Sequence, residues 1–221
     1  MTKKLVIFGL GSIGQLAHYY FEHDTDYQVA AFTVDAAYLT ESEFCGLPVV
    51  SFEHVVERFP PADFDFFVAV SYARLNELRK EKYLTAKALG YHLPSYVSSH
   101  ATVLNQRQIG ENCFILEDNT IQPFVKIGDN VVLWSGNHIG HHSTIQNHCF
   151  LASHIVVSGG VTIEESCFIG VNATLRDHIT IGRKCVLGAG TLMLGDSEPE
   201  GLYTTTASDR ARIPSTKLKR I

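Results

Sequence analysis

Residues 109–145 read IGENCFILEDNTIQPFVKIGDNVVLWSGNHIGHHSTI, and an aliphatic residue recurs there at every sixth position, in a ladder that continues unbroken to Leu187. A period of six is neither the 3.6 of an α-helix nor the alternation of an open strand, and it is typical of β-helical solenoids. Each unit is then one short strand and one corner, and three units close a triangular coil with the ladder inside. Residues eighteen apart stack at about 4.8 Å, so the repeat predicts which side chains meet.

The chain is long enough for two small cores. It has 221 residues, whereas a usual domain has about 100–150, and the ladder occupies only the second half. We therefore predict a Rossmann-like α/β domain over residues 1–97, an all-β parallel coil over residues 98–202 and a tail over residues 203–221.

Charge and composition narrow the range of partners. A net charge of −5 and a pI near 6.1 provide no basic stripe, which argues against a nucleic acid or an anionic membrane surface. The chain contains neither a run of eighteen apolar residues nor a start of the signal-peptide type. We expect a cytoplasmic protein that acts on small molecules.

Four of the five cysteines fall in one column of the predicted coil. They differ by multiples of eighteen and each stands four positions after a ladder residue: Cys113, Cys149, Cys167 and Cys185. Small, buried free thiols suit that place. Because no C-x-x-C pair or other metal-ligand spacing occurs, we expect neither disulfides nor a bound metal.

A glycine turn opens the first half of the chain. The segment KLVIFGLGSIGQLAHYY reads as a buried strand, a turn and a helix, and a second strand over residues 27–34 ends at Asp35. Gly9, Gly11 and Gly14 form G-x-G-x-x-G, the pattern in which main chain approaches a pyrophosphate and a following acid accepts from ribose. The second half of a full NAD domain is missing, so we interpret the turn as a nucleotide cradle for a non-redox ligand. The alternative is a turn that only packs helix on strand.

Strands and helices alternate in the rest of this half. We predict strands over residues 47–50, 66–70 and 91–97, and helices over residues 53–58 and 74–89. Ser71 and Tyr72 follow the 66–70 strand, at the sheet edge where open α/β folds bind ligands. They are therefore candidate nucleotide contacts.

Histidines concentrate at the corners of the predicted coil. His141 and His142 occupy one corner, and Gly159 and Gly160 occupy the same corner eighteen residues on. A neutral imidazole can take a proton from an attacking amine or hydroxyl, and a glycine N–H one coil away can donate to a thioester oxygen that gains negative charge. The pattern favours direct acyl transfer without an acyl-enzyme. The alternative is a solvated or trimer-contact corner.

Three stretches together resemble a known family. FGLGSIG, GNHIGHHSTI and SGGVTIEESCFIGVNATLRDHITIG are similar to the sugar acyltransferases of left-handed β-helix fold, related to sialic-acid O-acetyltransferases and to bacillosamine-pathway and perosamine N-acetyltransferases. The resemblance implies a left-handed coil, a homotrimer and an N-terminal domain that holds a nucleotide-linked sugar. It also implies that acetyl-CoA lies along the coil between neighbouring subunits.

The family's site residues transfer to this chain with three departures. The catalytic histidine matches His141, and the glycine whose amide faces the acetyl group matches Gly159. The acidic residue that follows the family's histidine is His142 here, so another group must orient the ring. A histidine after the first-domain glycine turn is replaced by Ile13, and an asparagine before the catalytic unit is replaced by Trp134, which indicates a different sugar or acyl group.

The proposed path of acetyl-CoA follows the coil towards the tail. The tail reads YTTTASDRARIP instead of the family's glycine-valine-proline ending, although its arginines remain candidates for CoA phosphates. The positions expected to contact the cofactor are Gly159, Gly160, Ala189, Gly190, Arg210 and Arg212.

The resulting hypothesis is an acetyl-CoA-dependent N-acetyltransferase. It would act on a nucleotide-linked amino sugar destined for surface polysaccharide, such as the O-antigen of lipopolysaccharide or a capsule, with His141 as general base. Gly9, Gly11 and Asp35, with Ser71 and Tyr72, would hold the nucleotide. The alternatives are a sugar O-acetyltransferase of the sialic-acid type, an NAD-dependent oxidoreductase and a non-enzymatic trimeric scaffold.

Overall fold

The computed structural model describes residues 3–208, 210 and 213–217. Within them, the first part of the chain forms a five-stranded sheet of order β3-β4-β2-β1-β5, parallel except for β3. Its elements are β1 (Lys3–Phe8), α1 (Ser12–Asp24), β2 (Tyr27–Val34), β3 (Glu43–Phe44), β4 (Leu47–Ser51), α2 (Val55–Arg58), β5 (Asp65–Val68) and α3 (Glu77–Ala88). Short 3-10 turns span Ala36–Tyr38, Phe52–His54 and Ser215–Lys217. This order places the carboxyl ends of β1 and β5 side by side.

Strand β1 is buried on both faces, which explains its uninterrupted apolar run. Leu5 and Ile7 pack with Phe21 of α1, and Val6 packs on the opposite face with Tyr83 of α3. Parallel strands covered on both sides show this pattern instead of strict alternation. The sheet therefore separates two apolar layers.

Two predicted elements begin three or more residues later in the structure than expected, whereas the other limits differ by at most two residues. Helix α3 starts at Glu77 instead of residue 74, because Arg74, Leu75 and Asn76 have left-handed φ values of 51°, 51° and 68°. The strand expected over residues 91–97 is shorter and belongs to the coil. His92 still accepts a backbone hydrogen bond from Phe66, but Pro94 lacks the N–H that a ladder needs.

The coil consists of two-residue strands in three parallel stacks, counted over the described part of the chain. Its strands are β6 (Tyr96–Val97), β7 (Thr102–Val103), β8 (Phe114–Ile115), β9 (Thr120–Ile121), β10 (Lys126–Ile127), β11 (Val132–Leu133), β12 (His138–Ile139), β13 (Thr144–Ile145), β14 (Phe150–Leu151), β15 (Val156–Val157), β16 (Thr162–Ile163), β17 (Phe168–Ile169), β18 (Thr174–Leu175), β19 (Thr180–Ile181), β20 (Val186–Leu187), β21 (Leu192–Met193) and β22 (Leu202–Tyr203). Val132 pairs with Phe150, and Phe150 with Phe168, so the predicted register of eighteen is confirmed.

One residue in every six turns the corner with left-handed backbone. This residue stands three positions after each ladder residue, with φ between 51° and 78°. The series is Asn112, Asp118, Phe124, Asn130, Gly136, His142, His148, His154, Gly160, Ser166, Asn172, His178, Lys184 and Gly190. Glycine, asparagine, aspartate and histidine are the residues that tolerate this conformation best. The repeated stack fits a left-handed β-helix that follows an α/β region.

The predicted column of cysteines is confirmed. Cys113, Cys149, Cys167 and Cys185 are buried and free. Their Sγ atoms lie 3.1, 3.1, 3.1 and 3.0 Å from the carbonyl oxygens of Gly128, Glu164, Gly182 and Glu198, respectively. Each thiol thus lies beside the core and near one main-chain acceptor at a corner.

Two further properties concern the described residues only. None of their helices is both long and apolar enough to cross a membrane. Their His, Cys, Asp and Glu side chains form no group of three or more that could hold a metal ion.

Candidate active site

A cleft of about 890 Å³ lies between the α/β region and the coil, at the carboxyl ends of β1 and β5. Every side chain along its wall is uncharged. The lining residues are Gly9, Gly11, Ser12, Ile13, Leu16, Ala69, Val70, Ser71, Tyr72, Ala73, Leu78, Trp134, Phe150, Ala152, Ser153, Phe168, Gly170, Val171 and Ala189. The cleft thus contains most of the residues predicted to bind the nucleotide-linked sugar.

Each of the three glycines in the first turn has a different structural role. Gly9 has a φ of +121°, and a Cβ there would lie 2.6 Å from the Ala69 carbonyl oxygen. A Cβ on Gly14 would lie 2.1 Å from the Gly9 oxygen, so this glycine lets α1 pack on β1. Gly11 precedes the first turn of α1, and a Cβ there would meet nothing within 4 Å, so the helix N-terminus is open to the cleft. This is the division of roles that phosphate-binding glycine turns use.

Aromatic rings form the coil side of the cleft. Phe150 and Phe168 stack with their ring centres 5.7 Å apart, and the half-exposed Tyr72 ring lies 5.1 and 4.8 Å from them. Trp134 lies 6.4 Å from Phe150. Such a wall suits a flat, partly apolar ligand group such as a base or a sugar face.

Asp35 lies apart from the residues that line the cleft. It follows β2 as predicted, but its carboxylate forms an ion pair with Lys82 of α3. Its backbone oxygen accepts a hydrogen bond from Tyr38 at 2.8 Å. In this arrangement Asp35 ties β2 to α3.

His141 lies on an exposed corner with its imidazole against Gly159. A Cβ added to Gly159 would lie 2.7 Å from His141 Cε1 and 2.9 Å from Nε2. The Gly160 N–H donates to the His141 backbone oxygen at 2.8 Å. The structure therefore brings together the imidazole and the glycine pair that were predicted from a spacing of eighteen.

The Gly159 N–H has no hydrogen-bond acceptor among the described residues. At three comparable corner positions, the side chain nineteen residues earlier accepts from this amide: Gln122 from His141 at 2.8 Å, Gln146 from Glu165 at 3.2 Å, and Glu164 from Arg183 at 2.8 Å. The residue nineteen positions before Gly159 is Gly140, which has no side chain. Within the described residues, Gly159 thus offers a free N–H donor next to the His141 imidazole.

His142 contacts His141 directly. The two Nδ1 atoms lie 3.0 Å apart, and the His142 ring lies 4.7 Å from the ring of Phe124 below it. A neutral imidazole has one N–H and one acceptor nitrogen. If His141 donates from Nδ1 to His142, its Nε2 is an acceptor on the side that faces Gly159. His142 thus stands where the resembling family has an acid.

The other corner histidines have a backbone explanation. His148, His154 and His178 all occupy the left-handed position, where histidine is favoured, whereas His141 does not. The His178 ring covers Gly160, since a Cβ there would lie 2.4 Å from its Nδ1. For His141, by contrast, the backbone conformation does not explain the choice of histidine.

The cleft and His141 lie on different corners of the coil. The cleft is lined by residues that follow the ladder residues Leu151, Ile169 and Leu187, whereas His141 follows the ladder residue Ile139. Ala189 lines the cleft, Gly190 turns the same corner with a φ of 69°, and Arg210 is exposed. Arg212 lies outside the described residues. Within one chain, the two parts of the predicted site are thus separated by a face of the prism.

Several cleft residues were missed from the sequence, including Phe150, Phe168 and Ala152. The sequence nevertheless contains a pattern that could have identified them. The outward residue before each ladder residue is apolar throughout one stack, from Phe114 through Val132 to Val186, whereas the other stacks show mostly threonine, lysine or histidine there. An apolar outer face predicts a covering partner, and the α/β region supplies it.

Two family models match the coil. Residues 108–141 match the bacterial transferase hexapeptide, described as six repeats, and residues 160–192 match the hexapeptide repeat of succinyl-transferase. No curated protein matches the chain by sequence.

Several solved structures share the architecture of nearly the whole chain. The acetyltransferase domain of PglB from Neisseria gonorrhoeae FA1090 has a TM-score of 0.82 at 24% identity, with 92% of this chain and 97% of that one covered. A mutant of perosamine N-acetyltransferase from Caulobacter crescentus, in complex with CoA and GDP-perosamine, has a TM-score of 0.82 at 24% identity, covering 93% and 95%. WeeI from Acinetobacter baumannii AYE has a TM-score of 0.70 at 20% identity, covering 92% and 96%.

The repeats and the fold define the class of protein. Residues 108–141 and 160–192 carry the hexapeptide repeats of bacterial transferases, and together with the shared fold they indicate an acyltransferase of the hexapeptide type. The family resemblance drawn from the sequence is thereby confirmed.

Proposed function

We propose that the protein is an acetyl-CoA-dependent N-acetyltransferase of a nucleotide-linked amino sugar. The observation that carries the proposal is the Gly159 N–H, which lies beside the His141 imidazole and has no acceptor in the described part of the chain. Solved structures of similar architecture include an N-acetyltransferase bound to CoA and GDP-perosamine. The uncharged, aromatic cleft behind an open helix N-terminus suits a nucleotide and a sugar.

The chain's own residues supply the elements of direct transfer. As the sugar amine attacks the thioester carbon, the C–N bond forms and the Gly159 N–H donates to the oxygen that becomes negative. His141 Nε2 takes the proton from the amine, while its Nδ1 side is held by His142. The C–S bond then breaks, the proton passes to the departing thiolate, and the amide and free CoA thiol remain.

A homotrimer completes the proposed site. Because the cleft and His141 lie on different corners of one chain, a neighbouring copy would have to bring its His141 corner to the sugar. The Rossmann-like region, with Gly9, Gly11 and Ile13, would hold the nucleotide. Acetyl-CoA would lie between the two coils, past Gly160 of one copy and past Ala189 and Gly190 of the other, towards Arg210. The product would serve surface-polysaccharide synthesis in the cytoplasm.

The test follows thiol release from acetyl-CoA with a panel of nucleotide-linked 4-amino and 3-amino sugars. We expect His141→Ala to lower kcat/KM by about 10²–10⁴-fold, the range for loss of a general base. His154→Ala is the matched control, because His154 is another corner histidine and its ring covers Gly136. Equal kcat/KM values for the two variants would remove His141 from the mechanism, and no turnover with any amino sugar would refute the substrate class.

A further inference from the structure

Arg79 of α3 is a buried cation without a carboxylate partner among the described residues. It is 1% exposed, and its Nε has no hydrogen-bond partner. Burial lowers the pKa of its guanidinium to about 10, which leaves it charged at neutral pH. A buried charge of this kind is unfavourable unless an opposite charge compensates it.

The partners of Arg79 on the coil are all neutral main-chain oxygens. Its Nη2 donates to the carbonyls of His148 at 2.8 Å and Cys149 at 3.2 Å, and lies 3.4 Å from that of Asn130. These bonds fix α3 against the coil. They stabilise the guanidinium, but they do not neutralise it.

The other side of the guanidinium faces the wall of the cleft. Its Nη1 donates to the Ser71 carbonyl at 3.0 Å and to Asn76 Oδ1 at 3.0 Å, and its Cζ lies 5.7 Å from the Phe150 ring. Both Ser71 and Phe150 line the cleft. Ser71 and Phe150 therefore separate Arg79 from the cleft. Arg79 also stabilises the left-handed turn that ends at Asn76.

The cations around Arg79 are already paired. Their ion pairs are Lys80 with Glu165, Lys82 with Asp35, and Lys184 with Glu77. The cleft itself has no charged side chain in its wall. Two positive elements therefore lie beside the cleft: the Arg79 charge behind Ser71 and Phe150, which low-dielectric surroundings screen weakly, and the N-terminus of α1.

We propose that Arg79 is a positioning residue that supplies the fixed counter-charge for a nucleoside diphosphate in the cleft, attracting the phosphates through space without touching them. This role rests on the proposed function, which requires a nucleotide-linked ligand. This role explains why a buried cation donates hydrogen bonds to the turn beside the cleft.

The test measures binding of UDP, GDP and dTDP, and of the three matching nucleosides, by calorimetry. For the diphosphate that the wild type binds, we expect Arg79→Met to raise Kd by tenfold or more, equivalent to about 1.4 kcal/mol. The matching nucleoside should bind both proteins equally. Arg79→Lys, which keeps the charge, should restore most of the diphosphate affinity. Lys184→Met is the control, because it removes an exposed cation from the same interface.

Equal losses for diphosphate and nucleoside, or no rescue by lysine, would show that Arg79 only holds the turn and would overturn the proposal. If Arg79→Met does not fold, Arg79→Gln, whose amide can still donate to the carbonyls, takes its place, and the ionic-strength dependence of the wild type separates buried from exposed cations. From about 0.01 to 1 M salt, a buried counter-charge predicts a small change in diphosphate affinity, and a steep loss would assign the attraction to exposed cations instead. Wild-type protein that binds none of the diphosphates would refute the proposed substrate class, and this role of Arg79 with it.

Discussion

Replacing Gly159 by alanine places a methyl group against the His141 imidazole. In the structure this carbon would lie 2.7 Å from His141 Cε1 and 2.9 Å from Nε2. Carbon atoms in ordinary contact are about 3.5–4.0 Å apart, so the ring must retreat by roughly 1 Å. The exposed ring has room to do so without disturbing the ladder.

The expected effect falls on catalysis and spares stability. A displacement of about 1 Å of a reacting group can lower the rate about 100-fold, which corresponds to about 2.7 kcal/mol in activation free energy. Gly159 is not in the left-handed conformation, so alanine fits its backbone. Because Gly159 is partly exposed and the clashing His141 ring is exposed, the substitution should change the free energy of unfolding by no more than about 0.5 kcal/mol.

The assay compares kcat for thiol release with the midpoint of thermal unfolding. Gly195→Ala is the matched control, because Gly195 stands two positions after a ladder residue, as Gly159 does, and a Cβ there meets nothing within 4 Å. A Gly159→Ala enzyme with kcat equal to that of the control would refute the proposed juxtaposition. A large fall in unfolding temperature would show that the substitution acts on the fold instead.

Two further predictions concern stability. Burial lowers the pKa of His148 from 6.5 to about 4, so the unfolded chain binds a proton first as pH falls. Stability should therefore drop on acidification between those values, by a contribution on the order of 3 kcal/mol. In His148→Asn, the free energy of unfolding measured with urea should depend less on pH in that range. An unchanged pH dependence would contradict the argument. Gly14→Ala, whose Cβ would lie 2.1 Å from the Gly9 oxygen, should lower the thermal midpoint, whereas Gly11→Ala, with open space around it, should not. Equal midpoints would mean that α1 shifts without loss of packing.

Sequence reasoning is most successful where the chain repeats. A period of six predicts the buried ladder, and the sum of three units predicts that Val132, Phe150 and Phe168 lie side by side, as they do. Each coil repeats the same local geometry, so the separation of two residues along the chain predicts their relative position in space. The same rule places His141 beneath Gly159.

The non-repeating half is less predictable at its element ends. Helix α3 begins three residues late because Arg74, Leu75 and Asn76 adopt left-handed backbone, which long side chains rarely do. Asn76 is of a type that tolerates this conformation, but Arg74 and Leu75 are not, so the sequence does not signal the whole turn. The turn persists because Arg79 and Asn76 bond to the coil, and these contacts are far apart in sequence.

The coil, its register and the meeting of imidazole with glycine were all readable from residue spacing, and even the free amide has a sequence signal in Gly140. The cleft, the pairing of His141 with His142 and the burial of Arg79 were not. They depend on how the α/β region docks on one outer face of the prism and on how side chains turn at a corner. Such contacts join distant segments that follow no common period, so only the folded chain reveals them.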